Sequence, residues 1–164
     1  HVLLSQAYFW DSLKLSLYVG LSTAVFALTF GVIPAWLTHF EKVPLSKEIS
    51  LLQILPLALP LHMSTGIYLE ILGWDLFSRK LILSVLMGAS LAPFVFILFR
   101  LRLASLPSSI EALARQLGLQ GLLKLQRVYL PLLTPILLFS FLLSFAGAIG
   151  DHGSSLLMKH KSNQ

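Results

Sequence analysis

Few side chains in this 164-residue sequence could do chemistry, and their spacing narrows the kinds available. Asp151 and His152 adjoin, ahead of Gly153, and both are potential metal ligands. Adjacent residues rarely close one site alone, and no HExxH helical pair supports them, so no metal centre is expected. The five histidines are scattered, and no Ser, His and Asp set can be assembled. The absence of cysteine removes thiolate nucleophiles, thiolate metal sites and disulfides. No GxxxxGK[ST] phosphate loop occurs, so ATP hydrolysis of the usual kind must lie on a partner. Two further sets remain. Pro56 and Pro60 lie four apart on one helix face, where each removes a backbone donor and can bend the helix, for packing or to open a path. His62 and Glu70 are ionisable groups in the same apolar stretch, where such groups face a cavity or another protein group. The four are candidates for a translocation path. Glu111 and Arg115 stand apart, in a polar segment between apolar runs.

The elements that must position these residues are set by composition. The chain is 56% apolar and 12% charged, against roughly 45–50% and 25% in ordinary soluble domains. The net charge of +5 is dispersed between apolar runs rather than gathered in a stripe with aromatics, so nucleic acid is not an expected partner. Four stretches, 13–36, 49–73, 81–99 and 130–149, are long enough to cross a hydrocarbon core of about 30 Å as helices. No ten-residue alternation of the kind a barrel needs appears. The expected fold is all-α, a polytopic transmembrane helix bundle with about four spans. Lys and Arg favour the cytoplasmic side. Arg100, Arg102, Arg115, Lys124 and Arg127 cluster between the third and fourth stretches, which places that loop inside, with Lys42 and Lys47. Lys14, Arg79, Lys80, Lys159 and Lys161 then fall outside. Because the sequence opens on His1 rather than Met, it is expected to be part of a longer chain.

The loop between the third and fourth spans has helical signals of its own. Ser108 followed by Glu111 fits a capping box, with Pro107 just outside it. A short helix is expected over 109–117, closed by Gly118 in the left-handed conformation. A second helical stretch carries Leu122, Leu123, Leu125 and Val128 beside Lys124 and Arg127, and meets Pro131 at the start of the next span. The product is a helix, turn and helix on the cytoplasmic face. It is either a connector lying on the surface or a docking element for a partner.

The segment SSIEALARQLGLQGLLKLQRVYLPLLTP resembles the EAA loop of permease subunits in binding-protein-dependent ABC importers. That pattern runs EAA, three residues, Gly, nine residues, Ile, one residue, Leu-Pro. With Gly118 as anchor, its apolar position falls on Val128 and its Leu-Pro pair on Leu130 and Pro131. The EAA positions fall on Ala112, Leu113 and Ala114, with the acid one residue earlier at Glu111. The likeness extends to FWDSLKLSLYVGLSTAVFALTFGVIPAWL and LLQILPLALPLHMSTGIYLEILG, which are similar to the second and third spans of ferric-iron and thiamine-type permeases. It implies a partial permease domain over 9–158, followed by a polar tail over 159–164. It also implies cytosolic ATPase subunits docking on Glu111, Ala112, Leu113, Ala114, Arg115 and Gly118, a second permease half, a periplasmic or extracellular solute-binding protein, and surrounding membrane lipid. No cofactor is implied, and no catalytic residue. An ATP-independent transporter or channel component, or a non-transporting scaffold, is the alternative.

Overall fold

The computed structural model describes residues 2–40, 45–58, 76–119 and 121–150, all of the regular structure among them helical. Helix α1 (Val2–Phe40) has 39 residues, about 58 Å at 1.5 Å per residue, so it outruns a 30 Å hydrocarbon core by several turns. After it come α2 (Ser46–Ile54), a tight turn of 3-10 helix (Leu55–Ala58), α3 (Leu76–Ala104) and the short α4 (Ser108–Gln116). The last described residues form α5 (Gly121–Lys124), a π-helical turn (Leu125–Tyr129) and α6 (Leu130–Gly150).

Among the described residues three helical runs are long and apolar enough to cross a membrane, Phe9–His39, Lys80–Ala104 and Leu125–Gly150. They match the first, third and fourth expected spans. Phe94, Ile97, Leu138, Phe139 and Leu142 stay exposed on α3 and α6, as lipid-facing side chains would. Of the second expected span, α2 and the following turn supply the beginning, and residues 59–75 lie outside those described.

The bundle closes α1, α3 and α6 on one another. Lipid gives little hydrophobic drive for helix association, so close approach through small residues must supply it. Each helix offers a stripe of them. Thr23, Ala24, Ala27 and Ala35 on α1, Ser84 and Ala92 on α3, and Ser140, Ser144 and Ala148 on α6 are all buried. At Gly31 a methyl group would sit 2.6 Å from the Val95 Cβ, and at Gly88 it would sit 2.6 Å from the Phe26 Cβ. Larger side chains fill the two ends. Val19, Leu83, Met87 and Ala148 pack at one, and Ala35, Phe96, Phe99, Leu103, Tyr129 and Leu133 at the other. Along this pairing α1 and α3 run in the same direction and α6 runs opposite to both, which gathers the end of α1, the start of α2 and the 105–119 loop at one end of the bundle.

Two expectations about the loop are corrected. Ser108 is the first helical residue, not the cap: Pro107, with φ −62° and ψ 139°, precedes the helix, and no side chain caps it. Proline presets the entry, and the Glu111 carboxylate goes to two cations, whose charge-assisted bonds outweigh one bond to a backbone N–H. The stretch after Gly121 is also not a separate helix. It runs on through the π turn into α6, with the Leu130 N–H donating to the Leu125 carbonyl. Pro131 offers no N–H to Arg127 and crowds its carbonyl, and the wider turn absorbs that conflict without breaking the helix.

Candidate functional site

At the loop end of the bundle, the end of α4 determines the shape of the exposed surface. Gly118 has φ +67°, the single positive φ among the described residues. The Leu119 N–H reaches the Ala114 carbonyl at 2.9 Å, and the Gly118 N–H reaches that of Arg115 at 3.0 Å. These two bonds form a Schellman closure, which turns the chain sharply toward α5. The left-handed glycine read from the sequence is therefore present.

Within α4 the candidate residues divide by face. Ala114 is 1% exposed and packs inward, whereas Ala112, Leu113, Arg115 and Leu117 stand out toward solvent. Leu113 and Leu117, 56% and 64% exposed, are one turn apart and give α4 an apolar edge. Glu111 turns the other way. One of its oxygens accepts from the Arg115 guanidinium at 3.0 Å and from the Lys124 ammonium at 3.3 Å. The Arg115 hydrogen bond, then the Lys124 bond and the charges of both, hold the Glu111 carboxyl below its ordinary value. Lys124 also lies 5.4 Å from the centre of the Tyr129 ring, which meets Trp36 of α1 edge-on at 5.5 Å. Helix α4 is thus tied through Glu111 and Lys124 to a buried tyrosine in the bundle. Lys124 and Tyr129 were not singled out as partners of this acid in the sequence, because thirteen residues and a turn separate Glu111 from Lys124.

A second feature lies deeper. An open cavity of about 570 Å³ lies between α1, α2 and α3, with Pro56 in its wall. Gln53 of α2, also in that wall, donates its side-chain amide to the Phe30 carbonyl of α1. Pro34, four residues beyond Phe30, has no N–H to offer that oxygen, so Gln53 fills the gap that proline leaves. The signal was available in the sequence as a proline inside an apolar run with a lone amide in the next one. The other candidates for the path, Pro60, His62 and Glu70, lie outside the described residues, as do Asp151, His152 and Gly153. Among the described residues no group of three potential metal ligands comes together.

No family model matches the chain, and no solved structure matches it significantly. Curated relatives do. The "Putative 2-aminoethylphosphonate transport system permease protein PhnV" of Salmonella typhimurium LT2 is 29% identical over 152 residues, which are 91% of this chain and 57% of the relative. The protein of the same name from Salmonella typhi is also 29% identical over 152 residues, 58% of its length. The chain spans under three-fifths of the length of these relatives. The similarity covers 91% of this chain, and it agrees with an all-helical, multi-pass inner-membrane protein.

Proposed function

We propose that this chain, a relative of the PhnV-like transport-system permeases, is the membrane-embedded part of an ATP-driven importer. It lines part of the solute path and couples it to a cytosolic ATPase through α4. The observation that supports this reading best is the construction of α4: an outward apolar edge at Leu113 and Leu117, a glycine-closed end, and a tie from Glu111 to Lys124 of α5. A plain connector needs none of these together.

In this reading the loop end is cytoplasmic, as the cluster of basic residues requires. An ATPase subunit seats on Leu113, Leu117, Ala112 and Arg115. Ala114 and Gly118 give the helix its close packing and its turn, and Glu111 fixes the helix to α5. ATP-driven closure of the ATPase pair moves α4, and the continuous helix from Gly121 passes that motion into α6. A second permease half completes the pore, and a binding protein delivers solute from outside. The relatives' names make 2-aminoethylphosphonate a solute to assay, alongside ferric iron and thiamine.

Gly118→Val tests the coupling. Open space surrounds Gly118, so the cost is conformational, on the order of 1 kcal/mol for a side chain held at positive φ. The bundle should still insert, while ATPase co-purification and solute uptake fall together. Arg115→Ala should do less harm. Full ATPase binding and full uptake by Gly118→Val would make the loop a connector.

A further inference from the structure

Protein interiors hold few voids larger than a water molecule, so the open cavity of about 570 Å³ between α1, α2 and α3 calls for an occupant. Its wall is apolar, and Phe30, Ile33, Leu52, Leu55, Ala89 and Ala92 form most of it. The polar groups in that wall are engaged within the protein. The Thr29 hydroxyl donates to the Val25 carbonyl, and the Gln53 amide nitrogen donates to the Phe30 carbonyl. A buried water needs about two to four polar partners, which this lining does not supply. A polar solute meets the same obstacle. In a bilayer the filler that remains is hydrocarbon chain.

Depth and charge narrow the kind of chain. Ala89 and Ala92 belong to the span Lys80–Ala104, and Arg100 lies near the end of that span. Along the helix, Ala92 and Ala89 stand about 12 and 16 Å deeper than Arg100 at 1.5 Å per residue. Half of a hydrocarbon core of about 30 Å is about 15 Å. The cavity therefore reaches from below Arg100 to about mid-membrane, which is the depth of one leaflet's lipid chains. Ala89, Ala92, Phe96 and Arg100 follow at three- and four-residue steps and lie along one face of α3. The Arg100 guanidinium stands 5.8 Å from the centre of the Phe96 ring and donates to the Ser50 hydroxyl at 2.8 Å. Ser50 is one turn before Gln53 in α2, so the cation is held at the loop-end mouth of the cavity. Among the described residues no carboxylate pairs with it. Lys47 and Glu48, both exposed at the start of α2, offset one another. A guanidinium has five donors, of which Ser50 takes one. The others suit a phosphate, which arginine binds through two parallel bonds.

We infer that this cavity is a site for one anionic phospholipid, its phosphate on Arg100 and an acyl chain lying between Phe30, Leu52 and Ala89. Helix α2 suits such a wall. It has no buried residue, and its Leu52 is exposed, as is Leu55 in the turn that follows, so a seated chain covers apolar surface that the protein leaves open. The site requires the bilayer and not the ATPase, and it stands apart from the coupling reading.

Native mass spectrometry of the full-length protein, with any partners that co-purify, tests the site. The protein is supplied with palmitoyl-oleoyl phosphatidylglycerol or with the zwitterionic phosphatidylcholine of the same chains, and retained lipid is counted. The unaltered protein should retain phosphatidylglycerol in preference. One basic residue near anionic lipid gives a preference on the order of fivefold, so Arg100→Gln should lower the ratio by about that factor, and Arg100→Lys should keep most of it. Arg102→Gln is the control. It removes the same charge at the same end of α3, on the side where Arg102 reaches the Leu132 carbonyl of α6. Ala89→Phe fills the floor of the cavity and should weaken retention of both lipids alike. A phosphatidylglycerol carrying a diazirine near the end of one chain should label segments 29–34, 52–56 and 89–92 in the unaltered protein and not in Ala89→Phe. Equal retention of the two lipids by the unaltered protein, or an equal fall with Arg102→Gln, would reduce the lipid to unselective contact and overturn the site. Crosslinks joining those segments to another protein chain, with none to lipid, would overturn it as well.

Discussion

Gly31→Ala adds a single methyl group and tests how the bundle is held. Its Cβ would stand 2.6 Å from the Val95 Cβ, 2.8 Å from the Val95 Cγ1 and 2.8 Å from the Ala92 carbonyl oxygen, where ordinary contact begins at 3.4 Å. Neither neighbour can turn aside. One is backbone, and Val95 is buried and stiff at χ1. The helices themselves must part by about 1 Å, and overpacking of that kind costs about 1–3 kcal/mol. Alanine's helical advantage over glycine returns about 0.8–1 kcal/mol. The expected net loss is thus roughly 1 kcal/mol, a factor of about five in the folded/unfolded ratio. Gly147→Ala provides the contrast. Its nearest neighbour is the Leu91 Cδ2 at 3.5 Å, an ordinary contact, so the propensity gain should leave it neutral or slightly stabilised. Unfolding by SDS titration in mixed micelles reads both. A Gly31→Ala protein as stable as the parent, or a Gly147→Ala protein equally damaged, would refute the claim that α1 and α3 meet backbone to backbone.

Three more outcomes follow from the same contacts. Glu111 is held below its ordinary value by Arg115 and Lys124, so its contribution is present above the unfolded carboxylate value, about 4.3, and is lost as pH falls through the lower folded value; a spin-label distance from position 109 to position 134 should hold constant from neutral pH to pH 5 and broaden only below about pH 4. Lys124→Glu should broaden that distance at neutral pH, and the charge-swapped pair with Glu111→Lys should narrow it again, whereas equal disorder in single and double variants would show that the pair does not fix α4. The Thr23 and Ser140 hydroxyls are buried without a partner, so Thr23→Val and Ser140→Ala should be neutral or stabilising in the SDS titration; a loss above about 2 kcal/mol in either would mean the hydroxyl is bonded.

Much of this arrangement was legible in sequence because lipid constrains it so strongly. Apolar runs of span length have one outcome, and Gly118 after an amphipathic turn has few. Local signals at Pro107, Ser108 and Gly118 also located α4 to within a residue at each end. What escaped was tertiary. The capping-box pattern at Ser108 and Glu111 did not form, because the helix begins at Ser108 after Pro107 and the carboxylate accepts from Arg115 and from Lys124, which the turn at Gly118 brings close. Pro131 read as a boundary, yet a π turn lets the helix pass through it.

Contact between α4 and an ATPase is the central claim, and site-specific photo-crosslinking in intact membranes tests it directly. A photoreactive residue at Leu113, on the exposed edge of α4, should form an adduct with an ATP-binding subunit, and its yield should change when ATP is trapped. The same residue at Phe139, exposed on the spanning face of α6, should form none. An ATPase adduct from position 113 with none from position 139 is the predicted result. Absence of any ATPase adduct from position 113, or its labelling by an impermeant reagent from outside the cell, would contradict the account.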